Sequence, residues 1–231
     1  MTLHFKDLSS AESRQAWWKK ETADCAHSYP IPNHNMPEAR SHLQFKRRPR
    51  YAVDIGANVG TFSAYASPHF EQVYGFEALS QTYAAAAENL SPYSNVQVTH
   101  LAAAAESDIN IRLYAHEDKK SGSSTCCTTN DAWELTEYEE TKTISLADIY
   151  SRYNIDYIDY LKVDCEGSEY AFLMNKDLSK INFLAIELHP ALLTPEQFQI
   201  LQIYLDIYFQ LKMMFGDDIY YYESRYALGA S

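Results

Sequence analysis

Side chains able to hold a ligand or move a proton stand at the ends of predicted strands: Asp54, Glu77, Asp164, Glu166, Glu187 and His189. Carboxylates in such places can accept from ribose hydroxyls, pair with an ammonium or take a proton, and a histidine titrates near neutral pH. The first informative stretch is Tyr51-Ala-Val-Asp-Ile-Gly-Ala-Asn-Val-Gly-Thr-Phe62. Tyr51 to Ile55 reads as a buried strand, and Gly56, Asn58 and Gly60 interrupt it before a helix opens at about Thr61. Glycine permits positive φ and a close ligand approach, and Asn58 is of a type that tolerates the left-handed region. The N–H groups that start the helix carry partial positive charge. Strand, turn and helix start make a cradle for a nucleotide-type cofactor, with Gly56, Ala57, Asn58, Gly60 and Thr61 as candidate contacts. Glu77 ends the next strand, 21 residues after Gly56, where an acid is placed to accept from ribose hydroxyls. The spacing G-x-N-x-G breaks the dinucleotide fingerprint at its second and third glycines, and no phosphate-loop G-K-[ST] follows. A glycine turn used only for packing is the plain alternative.

The second stretch is Leu161-Lys-Val-Asp-Cys-Glu-Gly-Ser-Glu169. Strand alternation puts Lys162 and Asp164 on one face. A buried lysine needs a charged partner, so Lys162 is either half of a structural ion pair or a catalytic group. Glu166 leads toward a helix, where capping competes with a role at the substrate. Asp54 can hydrogen-bond the glycine turn, hold a cofactor ammonium, or both. His189 ends the strand Phe183–Leu188, and a satisfied structural imidazole is the alternative to a catalytic one. His189 or Asp164 is the candidate base, with Glu166 orienting the pair or the substrate. Asp164, Glu187 and His189 have the chemistry to hold a divalent ion, but nothing in the sequence fixes a ligand geometry, and no metal is expected.

The elements that must position these groups alternate from Arg50 onward. Strands are predicted at 51–55, 72–76, 96–101, 109–114, 142–144, 158–163 and 183–188, with helices opening at Thr61, Ser80, Ser145 and Thr194-Pro195. Tyr208–Phe215, Gly216-Asp-Asp218 and Ile219–Glu223 read as a closing antiparallel hairpin. Repeated β-α units predict an α/β fold with a doubly wound, mostly parallel sheet, whose ligands bind beyond the carboxyl ends of the strands. Residues 1–49 are expected to form an extension, partly helical over Ser10–Lys20 and docked through Trp17-Trp18, with residues 50–231 as the domain. Ser121 to Asn130 is a polar loop.

A chain of 231 residues can bury one substantial core. Its formal net charge of −12 argues against a general nucleic-acid or anionic-membrane surface. Lys46, Arg47, Arg48 and Arg50 are the local exception, read as a solvated linker in preference to a phosphate contact. Cys25, Cys126, Cys127 and Cys165 form no paired framework, which suits a reduced, cytoplasmic chain. No signal peptide is visible, and no span approaches the roughly 18 apolar residues of a membrane helix. The nineteen tyrosines fit amphipathic packing at strand and helix edges better than an aromatic cleft.

Val53-Asp-Ile-Gly-Ala-Asn-Val-Gly60, Gly75-Phe-Glu77, Ile144-Ser-Leu146 with Asp148, Asp159-Tyr-Leu-Lys-Val-Asp-Cys-Glu-Gly-Ser-Glu169 and Ile186-Glu-Leu-His189 occur in this order. Together they resemble the FkbM family of S-adenosylmethionine-dependent methyltransferases over roughly residues 50 to 225. The resemblance implies a Rossmann-like, class I methyltransferase sheet of about seven strands, with the last hairpin supplying its one antiparallel strand. It implies that Asp54, Gly56, Asn58 and Gly60 surround the methionine part of S-adenosylmethionine and Glu77 its ribose. It also implies O-methylation of a hydroxyl on a sugar, glycan or small natural product. Ala78 stands where the family usually has Pro, and Ser145 where Thr is usual. A nicotinamide-type oxidoreductase is an alternative that the broken fingerprint disfavours. A non-catalytic interaction module is a further one, against which the intact Asp54, Gly56, Glu77 and Asp164 weigh.

Overall fold

The computed structural model describes residues 18–20, 24–25, 28–32, 48–115, 124–125, 138–216 and 218–226. In chain order the elements are β1 (Tyr51–Ile55), α1 (Thr61–Ala66), β2 (Gln72–Glu77), α2 (Ser80–Leu90), β3 (Val96–His100), β4 (Ala102–Ala103), β5 (Asn110–Ala115) and β6 (Ser124–Thr125). Then follow β7 (Tyr138–Ile144), α3 (Leu146–Arg152), β8 (Ile158–Val163), α4 (Glu169–Leu173), β9 (Ile181–Glu187), α5 (Pro195–Tyr208), β10 (Phe209–Phe215) and β11 (Ile219–Ser224).

Seven strands form the main sheet in the order β10-β11-β9-β8-β1-β2-β3. The run from β9 to β3 is parallel, and β11 lies antiparallel to both β9 and β10. This is the expected doubly wound sheet with one reversed strand. The chain moves outward from β1 to β3, then returns through α3 to β8 on the other side of β1. A crevice therefore opens between the carboxyl ends of β1 and β8, the topological switch point where such sheets bind ligands.

The central strands are the most apolar because both faces are covered. All six residues of β8 are buried, including Asp159 and Lys162. Asp159 accepts the backbone N–H groups of Arg50 and Tyr51 at 2.6 and 3.0 Å, pinning the start of β1 beside β8. One core cluster joins β1, β8 and β9 to α3, α4 and α5 through Ile55, Val163, Ile186, Ile149, Phe172 and Leu201. A second, on the other face, gathers Phe62, Tyr160, Phe183 and Tyr221 with Tyr29 and Ile31 from the N-terminal segment.

Helix starts follow the predicted capping chemistry in two of three places. Ser145 accepts from the Asp148 N–H, and Thr194 with Gln197 forms a reciprocal capping box at α5. At α2 Leu79 takes the N-cap, not Ser80. Ser80 instead donates its N–H and hydroxyl to Glu139 of β7 at 2.9 and 3.0 Å. A carboxylate from a distant strand thus meets the positive end of α2.

Glu139 belongs to a second sheet, ordered β4-β7-β5-β6, that the sequence reading reduced to an added strand and a brief one. β7 runs seven residues, with Glu140 and Lys142 exposed on one face and Thr141 and Thr143 buried on the other, a pattern that its charged and hydroxyl residues hide in the sequence. The predicted helix over Ser10–Lys20 lies outside the described residues except at 18–20, as do Trp17, Cys126, Cys127 and all of the polar loop but 124–125. Trp18 packs partly against Ala64, Ala86 and Leu90. Arg48 and Arg50 lie 3.6 and 3.4 Å from Glu71. Among the described residues no helix is long and apolar enough to cross a membrane.

Candidate active site

The turn after β1 is built by chain crowding. Gly56 has φ +71°, and a Cβ there would lie 1.7 Å from the Asp164 carbonyl oxygen. The two informative stretches of sequence therefore touch at this point. Asn58 follows at φ 51° and Gly60 at φ 90°. Gly56 and Ala57 both donate to the Phe76 carbonyl, at 3.0 and 2.9 Å, which fastens the turn to the end of β2. Asn58 is exposed and Gly56 and Thr61 are half-buried, whereas Ala57 and Gly60 are covered.

Glu77 closes the other side of the turn. Its carboxylate accepts from the Asn58 N–H at 2.8 Å and the Leu79 N–H at 2.9 Å. Burial raises its pKa, and those two donors oppose the rise. A carboxylate has about four acceptor sites, so roughly two remain for hydroxyl donors. That donor set fits the ribose of an adenosine-containing cofactor.

Asp54 and Lys162 stand behind the turn. Asp54 is fully buried and accepts from the Ser63 hydroxyl at 2.7 Å. The Lys162 ammonium lies 3.3 Å from both the Asp54 and Asp164 carboxylates and donates to the Gly56 carbonyl at 2.7 Å. Burial would lower the Lys162 pKa, but Asp164 and then Asp54 outweigh it and hold the ammonium charged. The ion pair anticipated for Lys162 is thus present, and it ties β1, the glycine turn and β8 together.

Beyond Asp164 the chain turns through Glu166, a non-glycine residue at φ 51°. It arrives beside His189 at the end of β9. His189 Nε2 lies 3.4 Å from Glu166, 3.7 Å from Glu187 and 3.9 Å from Asp164. Its Nδ1 lies 2.9 Å from Oε1 of Glu169, a fully buried carboxylate that also accepts from the Cys165 and Gly167 N–H groups. Burial would lower the His189 pKa, but the Glu169 hydrogen bond and the charges of Glu169, Glu166 and Asp164 raise it to about 9. Burial and the neighbouring Asp164 push Glu187 up to about 7. At neutral pH the imidazole is therefore a donor, and the proton-accepting groups of the cluster are carboxylates.

All the candidate residues of the sequence reading meet at this crevice, with Asp54 and Lys162 buried beneath it and Asp164, Glu166 and His189 half-buried at its surface. Two participants had no assigned role. Glu169 stood inside the second motif, three residues after Glu166, and that spacing was the available signal. Tyr29 carried none. It arrives from the N-terminal segment, donates to Glu187 at 2.9 Å and places its ring 5.6 Å from the Lys162 ammonium.

A family profile described as the methyltransferase FkbM domain matches residues 54–213. No curated protein matches the chain. Among solved structures, TrmK of M. capricolum with S-adenosyl-homocysteine is 10% identical, with 100% of this chain and 74% of that one covered, at a TM-score of 0.47. An rRNA methylase from Streptococcus thermophilus is 14% identical over 77% of this chain and 87% of that one, at 0.44. A SAM-dependent methyltransferase from Aquifex aeolicus is 14% identical over 90% and 96%, at 0.43. These likenesses are distant, and assignment rests on the domain match, which spans well over half of the sequence and both motif stretches. The chain belongs to the FkbM family of methyltransferases.

Proposed function

We propose that the protein transfers a methyl group from S-adenosylmethionine to a hydroxyl of a sugar, glycan or small natural product. The observation that carries this reading is the contact between the cofactor turn and the carboxylate–imidazole cluster, made where Gly56 meets the Asp164 carbonyl. S-adenosylmethionine supplies an electrophilic methyl on a cationic sulfur. Glu77 is the ribose acceptor, and the backbone from Gly56 to Thr61 with Asp164 holds the amino-acid end. Asp54 and Lys162 act from behind, fixing the turn rather than touching the ligand.

A hydroxyl is a weak nucleophile and gains from a base within hydrogen-bond reach. Asp164 is the group we assign to that task, because His189 is held protonated. His189 and Glu166 then orient the acceptor hydroxyl. The crowd of carboxylates also selects the acceptor by charge. A neutral polyol fits beside Asp164, Glu166 and Glu187, whereas a phosphate-bearing acceptor is repelled. The net charge of −12 points the same way.

The test is transfer of an isotopically labelled methyl to a panel of hydroxylated acceptors, with His189→Ala in parallel. The variant is expected to lose turnover by about 100-fold through misplacement of the acceptor hydroxyl, with affinity for S-adenosylhomocysteine close to wild type. Unchanged turnover removes His189 from the mechanism, and labelling of phosphorylated acceptors alone overturns the substrate class.

A further inference from the structure

We propose that Asp164, Glu166 and His189, with Glu187 beside them, form a binding site for one hard divalent cation of the Mn2+ or Mg2+ type. One ligand atom from each of Asp164, Glu166 and His189 lies within 4.8 Å of the others. Around His189 Nε2 the carboxylate oxygens stand at 3.4, 3.7 and 3.9 Å. An octahedral ion with bonds of about 2.1 Å separates adjacent donors by roughly 3.0 Å and opposite donors by roughly 4.2 Å. The three separations from His189 Nε2 lie between those two values, so a cation can enter once the side chains adjust around it.

The groups behind the cluster are arranged as outer partners of metal ligands usually are. Glu169, fully buried, engages His189 Nδ1 at 2.9 Å and so directs Nε2 toward the carboxylates. Its other oxygen, Oε2, is buried without a hydrogen-bond partner. Tyr29, 8% exposed, donates to Oε2 of Glu187, while Oε1 is the oxygen near His189 Nε2. Charge points to the same ligand. Asp54, Asp164, Glu166, Glu169 and Glu187 surround one ammonium and one imidazole, and Lys162 is already shared by Asp54 and Asp164. The ion displaces the Nε2 proton of His189 to solvent, and a donor set of carboxylate oxygens with a single neutral imidazole matches Mn2+ or Mg2+ rather than a thiolate-seeking metal. Remaining positions on the ion suit neighbouring hydroxyl oxygens of an acceptor, a role that rests on the O-methylation reading.

The full chain, freed of metal with a chelator and then desalted, is titrated with MnCl2 while free Mn2+ is read by electron paramagnetic resonance. One Mn2+ per chain is expected, with a Kd below about 1 mM. Glu166→Gln and His189→Gln should each weaken it by about tenfold or more, whereas Asp108→Asn, at the exposed pair with Arg152, leaves it unchanged. Calorimetry with S-adenosylhomocysteine on the same samples reports folding and the cofactor site separately. Absence of stoichiometric Mn2+ in protein that binds S-adenosylhomocysteine overturns the proposal, as does equal affinity in all four proteins. Mn2+ binding without S-adenosylhomocysteine binding upholds the metal site and removes the methyl-transfer reading instead.

Discussion

At the scale of single residues, the chemistry turns on how many carboxylates share few cations. His189 illustrates the consequence for stability. Its pKa is raised from the ordinary value near 6.5 to about 9, so the folded state binds its proton more tightly than the unfolded chain does. The stabilisation is fully present below pH 6.5 and is lost as pH rises through about 9. Glu187, raised to about 7, has the same sign, with stability lost between about pH 4.5 and 7 as a half-buried carboxyl ionises. In chelator, urea unfolding of wild type and His189→Gln should show an advantage for wild type that shrinks from pH 6.5 to 9. An advantage that grows over that interval contradicts the His189 environment described here. Much of this was legible beforehand, because strand alternation alone placed Lys162 and Asp164 on one face. Glu169 was passed over because its partner, His189, is twenty residues away in sequence and meets it only through the parallel register of β8 and β9. Tyr29 could not be read at all, since nothing local ties an isolated tyrosine to a strand end 158 residues on.

At the scale of elements, the glycine turn and the strand after it work as one unit. The Lys162 ammonium grips the Gly56 carbonyl from below, Glu77 grips the Asn58 N–H from the side, and the Asp164 carbonyl closes on Gly56 from above. Gly56 is therefore required twice, for its φ of +71° and for the space its missing side chain leaves. Gly56→Ala must push Asp164 aside. It is expected to weaken S-adenosylhomocysteine binding at least tenfold and to lower the melting temperature, both measured on one purified sample. Gly56→Ala with wild-type affinity would show that the turn is not the cofactor cradle. Sequence periodicity found β1, β8 and both capped helices, because their signals are local: a continuous apolar run, or a Ser or Thr at an N-cap. It placed α2 over its full length but missed its cap, and it shortened β7, for a common reason. Glu139 supplies the helix start with charge from 59 residues away, which frees Ser80 from capping and gives β7 a task that its polar sequence hides.

At the scale of the whole molecule, the sheet order puts the switch point between β1 and β8, and both motif stretches end there. The N-terminal segment does more than precede the domain. Tyr29 and Ile31 fill the second core cluster, and Tyr29 continues to the site, so residues 28–32 share the domain's packing. The fold class was readable because alternating strands and helices admit few topologies. The second sheet was not, because β4 and β6 are two residues each and carry no periodicity of their own.

The most direct test of the central claim is calorimetric titration of the full chain with S-adenosylmethionine, S-adenosylhomocysteine and NAD, repeated on Glu77→Gln and Glu77→Ala. Both sulfur cofactors should bind one per chain and NAD should not. Losing charge-assisted hydrogen bonds to a ribose costs about 1.5–3 kcal/mol, so both variants should weaken binding by roughly 10- to 150-fold. NAD binding in place of the sulfur cofactors, or affinity untouched by either substitution, would contradict the assignment of the cofactor and of Glu77.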